Sequence, residues 1–157
     1  ESQKGLVIAL DQVTDPHNIG AIIRTAEAMG ALGVILPKHR TGVISPVASK
    51  AASGADRIIP IVQVGNLNTA LDKLKEIGFW IMGSESAPDT PAFYQFDFAT
   101  LPTVLVMGSE GKGLRVSVKS ACDMLGAIPM FGETESLNVS AATAIMAYEI
   151  SLQQNKE

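Results

Sequence analysis

Three segments of the sequence place polar side chains and glycines where a sheet protein could bind a ligand. The first extends from Asp11 to Arg24, leaving a predicted strand and entering a predicted helix through Asn18 and Gly20. Ligands of open α/β sheets bind beyond the carboxyl ends of the strands, so the polar side chains of this segment are well placed to contact a ligand. Gly20 and other small residues beside Arg24 leave space for a ligand to approach its guanidinium. A surface ion pair between Arg24 and Glu27 explains the arginine without any ligand.

The second segment is a glycine-rich loop, Gly-Ser-Glu-Gly-Lys-Gly at residues 108–113, directly after an apolar run. Three glycines in six positions let backbone NH and carbonyl groups contact a ligand closely. The spacing matches neither a Walker A loop nor the dinucleotide-binding fingerprint, which argues against a nicotinamide-dependent oxidoreductase. A tight turn without a ligand is the alternative.

The third segment, residues 128–140, leaves a strand, crosses a loop and begins the last helix. Ser136 and Asn138 are both good helix-capping residues, and capping alone would account for one of them. Two polar residues flanking Leu137 suggest side-chain donors and acceptors at the helix N-terminus, facing the same strand ends as the first two segments.

The elements that must position these segments alternate between short apolar runs and longer stretches of helical period. This order predicts an α/β fold with a parallel sheet flanked by helices. The predicted strands cover residues 6–10, 33–36, 58–62, 80–83, 103–107 and 124–128. The predicted helices cover residues 18–29, 46–53, 67–77 and 137–153, with Asn18 as the cap of the first, and residues 84–98 form a predicted loop.

Composition favours one compact domain in a reducing cytoplasm. The chain has 157 residues, 46% of them hydrophobic, enough for a sizeable core. A formal net charge of -4 argues against nucleic acid binding over the whole surface. The single Cys122 and the scattered His17 and His39 form no metal-binding pattern, and no apolar run is long enough to span a membrane. The start at Glu1, without an initiator Met, suggests that an N-terminal neighbour is missing, and such a neighbour could supply any nucleic acid affinity that this acidic chain lacks.

Together the three segments resemble the motifs of the SpoU family of RNA ribose methyltransferases, within the knotted SPOUT class. The resemblance covers residues 6–152 and rests on Thr-Asp-Pro-His-Asn-Ile-Gly at 14–20, Met-Gly-Ser-Glu-Gly at 107–111 and Ser-Leu-Asn-Val-Ser at 136–140. The residues of the first two motifs are most similar to those of bacterial enzymes that make 2'-O-methylguanosine in large-subunit (23S) ribosomal RNA. Transfer RNA guanosine methyltransferases share the motifs, and a SpoU-like protein that binds without catalysis is a further alternative.

The resemblance implies a C-terminal deep trefoil knot, a homodimer built largely from the first and last helices, and S-adenosylmethionine as the methyl donor, with no metal. It implies cofactor contacts, mostly through backbone atoms, from nine residues: Gly83, Ser84, Met107, Gly108, Gly111, Ile128, Met130, Leu137 and Val139.

Arg24 would be the catalytic arginine that contacts the RNA phosphate and 2'-hydroxyl, either in its own site or in that of the partner subunit. A guanidinium holds its proton tightly near neutral pH, so orientation and electrostatic stabilisation suit it better than a role as a base. Asn18, Glu110, Ser136 and Asn138 would hydrogen-bond around the reacting groups. Further expected phosphate contacts are Lys112, Arg115 and the Lys38, His39 and Arg40 loop, for which a solvated turn is the alternative.

Overall fold

The computed structural model describes residues 4–38 and 44–156, which form a parallel sheet with helices on both faces. Its six strands are β1 (Leu6–Asp11), β2 (Gly33–Pro37), β3 (Ile61–Val64), β4 (Trp80–Ser84), β5 (Thr103–Gly108) and β6 (Met124–Gly126). Its α-helices are α1 (Pro16–Ala28), α2 (Pro46–Ala52), α3 (Leu67–Glu76), α4 (Val116–Ala121) and α5 (Val139–Gln154). Most of the predicted strands and helices are confirmed.

All strand pairs are parallel, in the order β3-β2-β1-β5-β4-β6. The central pair, β1 and β5, is aligned along its whole length, from Leu6 opposite Thr103 to Asp11 opposite Gly108. A parallel sheet covered on both faces needs strands that are apolar throughout, and every residue of β1 is buried. The predicted parallel α/β architecture is confirmed, and the trefoil knot stays a prediction.

Side chains that alternate along the strands fill two separate cores. Ile8 and Leu10 of β1 face one core, which the sheet shares with α1, α2 and α5. Val7 and Ala9 face the other, where Leu71 of α3 packs. This alternation is the two-residue period of an extended chain, and it fixes the register of β1 between its neighbours.

Two element boundaries differ from the sequence prediction because of local backbone chemistry. The strand predicted at residues 58–62 is displaced to Ile61–Val64, since a 3₁₀ turn occupies Ala55–Arg57 and leaves Ile58 69% exposed. The helix predicted from Asn18 begins at Pro16, because the Asp15 carboxylate accepts hydrogen bonds from the amides of His17 and Asn18.

Three further differences lie in the second half of the chain. Helix α4 was not predicted, and its alternating Val116 and Val118 resemble a strand. The last helix begins at Val139 rather than at residue 137, because Asn138 is its cap. The loop predicted at residues 84–98 contains the 3₁₀ turn Phe93–Gln95. Within the described part of the chain, none of the helices has the length and hydropathy needed to cross a membrane.

Candidate functional site

A cleft of about 670 Å³ opens beyond the carboxyl ends of β4 and β5. Four stretches of chain line it: the residues after β4, the glycine loop after β5, Ile128 and Met130 in the chain after β6, and the entry to α5. The volume is that of a typical small-molecule site. The second and third segments picked out from the sequence therefore meet in the walls of one cleft.

The glycine loop folds back over the end of β5 at close range. The amide of Gly113 donates to the carbonyl of Ser109 at 2.8 Å, closing the loop. A Cβ added to Gly108 would lie 2.4 Å from the carbonyl carbon of Gly113, so no side chain fits there. Gly111 and Gly113 have φ of +79° and +66°, a region that favours glycine. The tight turn that the sequence offered as an alternative is thus present and lies in the wall of the cleft.

Asn138 joins the three segments through its side chain. Its Nδ2 donates to Oε1 of Glu110 at 2.7 Å and to Oδ1 of Asn18 at 3.2 Å. The same Glu110 oxygen accepts from the amide of Val139 at 3.2 Å. Residues 18, 110 and 138 therefore form one hydrogen-bonded unit, although they are far apart in the sequence.

The opposite end of the Asn138 side chain caps α5. Its Oδ1 accepts from the amide of Ser140 at 2.9 Å, from that of Ala141 at 3.4 Å and from the Ser140 hydroxyl. The Glu110 carboxylate and the Asn138 side-chain oxygen thus accept hydrogen bonds from the first backbone amides of a 16-residue helix. Carboxylate charge at a helix N-terminus is favourable, which explains the position of Glu110.

Beneath the glycine loop lies an ion pair between Asp11 and Arg115. Asp11 is 0% exposed, and its Oδ2 accepts from the backbone amide of Arg115 at 2.8 Å. Its Oδ1 accepts from Nε and lies 2.8 Å from a terminal guanidinium nitrogen of the same residue. The guanidinium of Arg115 is bound by Asp11 while its side chain is 47% exposed, and the phosphate contact expected of it stays a prediction.

A second ion pair shapes the opposite wall. Glu85 Oε2 lies 2.6 Å from Lys119 Nζ, and Glu85 Oε1 accepts from the amides of Ser86 and Ala87. Burial raises the pKa of the Glu85 carboxyl, but these bonds and the lysine charge outweigh it and hold that pKa below its usual value. Glu85 is thus a carboxylate that fixes the chain just after β4.

The chemical character of the cleft suits an organic cation with an aromatic part. Eight apolar residues line it, and five of them are large: Met107, Ile128, Met130, Leu137 and Val139. The carboxylates of Glu110 and Glu135 also line it and oppose one lysine, Lys112, whereas a third lining carboxylate, of Glu85, is already paired with Lys119. Within residues 4–38 and 44–156, no group of three or more His, Cys, Asp or Glu side chains is arranged to hold a metal ion.

Of the nine residues expected to contact a cofactor, Gly83 is the exception that does not line the cleft. A Cβ there would lie 2.7 Å from Cys122 Sγ and 2.8 Å from Leu125 Cδ2, so the glycine is required by packing behind the wall. Burial of Cys122 in this packing raises the pKa of its thiol to about 11. The cofactor role of all nine residues stays a prediction.

The five expected catalytic residues do not lie at one point. Glu110 and Ser136 line the cleft, and Asn18 and Asn138 are bonded beside it. Arg24 is exposed on α1 away from this wall. A helix rises about 1.5 Å per residue, so Arg24 lies about 9 Å along the axis from Asn18 and faces a different direction.

Two interpretations of the α1 sequence are wrong. Among the described residues, the ion pairs are those of Arg115 and Lys119, so Arg24 and Glu27 do not form one. Gly20 does not leave space for a ligand, because a Cβ there would lie 2.3 Å from the carbonyl oxygen of Ala48 in α2. Of the expected phosphate contacts, Lys38 and Lys112 are exposed, while His39 and Arg40 lie outside the described residues.

Sequence reasoning missed the functional placement of Glu85, Glu135 and Asp11. Asp11 carried a usable signal, since a charged residue directly after five apolar strand residues lies at the end of the sheet where ligands bind. Its partner, 104 residues away, has no such signal in the sequence.

Comparison with known proteins identifies the family. The family model described as SpoU rRNA Methylase matches residues 5–148. The chain belongs to the SpoU rRNA methylase family. A relative of this SpoU chain, the 23S rRNA (guanosine-2'-O-)-methyltransferase RlmB of Pseudomonas aeruginosa, is 46% identical over 149 residues, which are 95% of this chain and 59% of that protein.

Solved structures of SpoU-family proteins share the fold. An AdoMet-bound rRNA methyltransferase from Sinorhizobium meliloti superposes with a TM-score of 0.88 at 32% identity, over 99% of this chain and 59% of the other. The A. aeolicus TrmH/SpoU tRNA modifying enzyme gives 0.86 at 34% identity, over 97% and 76%. The chain thus spans about three fifths of the length of the curated relative and of the first of these structures.

Proposed function

We propose that this chain is a single catalytic domain that methylates a ribose 2'-hydroxyl of RNA with S-adenosylmethionine, most specifically a guanosine of 23S ribosomal RNA. The observation that carries the proposal is the Asn138 side chain, which bonds Asn18 and Glu110 at the edge of the cleft. The three family motifs thereby converge physically. The P. aeruginosa relative, named for guanosine 2'-O-methylation of 23S rRNA, supports the substrate assignment.

The cleft fits S-adenosylmethionine in size and chemistry. That molecule supplies a methyl group on a positively charged sulfur, which makes it a strong methyl donor without a metal. Apolar side chains such as Ile128 and Leu137 suit its adenine, and the carboxylates of Glu110 and Glu135 favour its positive charges. The S. meliloti neighbour, described as AdoMet-bound, supports this choice.

The remaining task is to orient a ribose hydroxyl so that its oxygen takes the methyl group, the sulfur leaves as a neutral thioether with the electrons of the broken bond, and the hydroxyl proton passes to water in the open cleft. Ser136 lines the cleft with a hydroxyl that can accept or donate a hydrogen bond. Glu110 and Asn138 hold each other and the start of α5, so their first effect is to fix the shape of the site. Arg24 binds the RNA phosphate near the reacting hydroxyl and stabilises developing charge rather than accepting the proton.

A homodimer completes this arrangement. A groove of about 680 Å³ on the α5 side is lined largely by apolar side chains, including Ile145, Tyr148 and Phe131, and Phe131 is 96% exposed. A protruding aromatic side chain and an apolar groove on the same surface are self-complementary under two-fold symmetry. Pairing would bury this surface and bring a second α1, with its Arg24, towards the site.

The dimer is tested by sedimentation of Phe131→Glu. Phe131 is too exposed to affect folding, so we expect a folded monomer. The matched control is Ile77→Glu, which adds the same charge at a residue 72% exposed at the end of α3 and should remain dimeric. A wild-type monomer, or a dimeric Phe131→Glu, would contradict this part of the proposal.

The activity is tested by binding and by mapping. Calorimetry should show that both the wild type and Arg24→Ala bind S-adenosylmethionine. In an RNA methylation assay, only the wild type of these two should be active. The control Arg57→Ala, at another exposed arginine, should bind cofactor and methylate RNA as the wild type does. We infer that the enzyme acts in the cytoplasm, where ribosomal RNA is present. Mapping 2'-O-methyl sites in a strain without the protein should therefore show one missing guanosine methylation in 23S rRNA. Loss in transfer RNA would identify that substrate instead, and no loss or no cofactor binding would refute the function.

A further inference from the structure

Asp11 is the one carboxylate among the described residues with 0% exposure, and no ligand role was expected for it. Asp11 is the last residue of β1 and lies at the carboxyl ends of the strands, where the cleft opens. Burying a carboxylate is costly unless its oxygens are fully hydrogen-bonded. Here both oxygens accept from a single residue, Arg115, through its backbone amide and its guanidinium.

The position of Asp11 connects the two ends of the glycine loop. In the β1–β5 ladder, Asp11 lies directly opposite Gly108, the residue at which the loop begins. Its carboxylate binds Arg115, two residues after the loop closes at Gly113. One buried residue therefore holds the start of the loop by strand pairing and its end by a charged side chain.

The loop held in this way carries Glu110. Glu110 bonds Asn138 and the amide of Val139, so the position of the loop also sets the start of α5. Directly after Asp11, Gln12 has φ of +58°, a conformation that non-glycine residues seldom adopt. This backbone lets Asp11 and Val13 both be buried while the chain turns between them.

We propose that Asp11 is a positioning residue for the methyl-transfer site, acting through Arg115 to fix the glycine loop against the cleft. The inference rests on the proposed function for its ligand, S-adenosylmethionine, but the loop geometry is independent of that function.

The sharpest variant is Asp11→Asn. An asparagine has the same shape but replaces one acceptor oxygen with an NH₂ donor, and both Asp11 oxygens face donors of Arg115. One contact then becomes a donor facing a donor. The matched control is Asp56→Asn, which makes the same change at a partly buried carboxylate that accepts from Ser49 and does not line the cleft.

Two measurements are made on the full chain at a temperature where every variant is folded. In Asp11→Asn we expect the Kd for S-adenosylmethionine to rise about tenfold, the loss typical of a charged hydrogen bond. Amide hydrogen exchange should quicken at Gly113 and Val139, whose bonds depend on the loop, and remain unchanged at Ile35 in β2. Asp56→Asn should change neither, even where it lowers the melting temperature.

Unchanged exchange at Gly113 and Val139 overturns the proposal, as does an equal loss of affinity in both variants, which would reflect general destabilisation. If the wild type binds no cofactor, the proposed function fails while the exchange experiment still decides the role of Asp11. If Asp11→Asn does not fold, Arg115→Ala and Arg115→Lys replace it, since this side chain is 47% exposed. Loop exchange should then quicken in the alanine variant and be partly restored by lysine.

Discussion

Asn138 performs two tasks that can be separated by substitution. Its Oδ1 caps α5, whereas its Nδ2 joins Glu110 and Asn18. Asn138→Ala removes both functions. Asn138→Ser keeps a side-chain oxygen that caps a helix about as well as asparagine does, but has no group that reaches both partners. Comparison of the two variants therefore isolates the network from the cap.

The expected change in stability follows from the cap. Loss of an N-cap costs about 1 kcal/mol, within a range of about 0.5 to 2 kcal/mol. The Nδ2 bonds add little to the free energy of unfolding, because Asn138 is exposed and water can replace them. For a domain of this size, Asn138→Ala should lower the melting temperature by about 1 to 8 °C, centred on about 2 to 4 °C, and Asn138→Ser by about 1 °C or less.

The expected change in activity is different. Both variants should lose methyl transfer to a similar extent, at least about tenfold, because both release Glu110 and Asn18 from a common arrangement. Thermal unfolding gives the stability, and transfer of a radioactive methyl group to 23S rRNA, isolated from a strain without the protein, gives the activity. A fully active Asn138→Ser would show that only the cap matters and would refute the network as the basis of the site.

Three further predictions concern the walls of the cleft. Gly108→Ala should lower the free energy of unfolding in urea by about 1 to 3 kcal/mol and weaken cofactor binding, because the alanine Cβ would meet the backbone of Gly113. An unchanged free energy would show that the loop can move aside. Burial raises the pKa of the Cys122 thiol from 9.0 to about 11, so at pH 8 the folded protein should react with iodoacetamide roughly 100-fold more slowly than an ordinary thiol does. In urea the unfolded chain should react at the ordinary rate. Equal rates in the folded and unfolded protein would contradict the burial of Cys122. Because the pKa of Glu85 is lowered in the folded state, the stability from its pairing with Lys119 is present above pH 4.5 and lost as pH falls through the lowered value. Urea unfolding should therefore show the advantage of wild type over Glu85→Gln shrink below pH 4.5, and a constant difference would exclude the pair as its source.

The sheet was predictable because its strands are buried on both faces and read as unbroken apolar runs. Residues 103–107 illustrate this, since they have no charged member and all are buried. The third strand was misplaced because Ile58 and Ile59 look like strand residues, whereas Ile58 is in fact exposed beside a 3₁₀ turn. Apolar type alone does not tell a strand from the turn that precedes it.

The site was predictable where one residue type had a single good explanation. Gly108 and Gly111 pointed to a tight loop, and Asn138 pointed to a helix cap; both features are present. The pairing of Asp11 with Arg115 was not predictable, since nothing local in the sequence links a carboxylate to an arginine 104 residues later. Such contacts follow from strand order, which spacing does not provide.

The bond between Asn18 and Asn138 spans 120 residues and has a consequence for biosynthesis. A ribosome makes the chain from the N-terminus, so α1 emerges long before the residue that must bond to it. Until residue 138 has left the exit tunnel, Glu110 and Asn18 have no common partner and α5 has no cap. A nascent chain therefore cannot complete this hydrogen-bonded unit until the start of α5 has emerged, and formation of the unit reports that the whole stretch from Asn18 to Asn138 has been synthesised and folded.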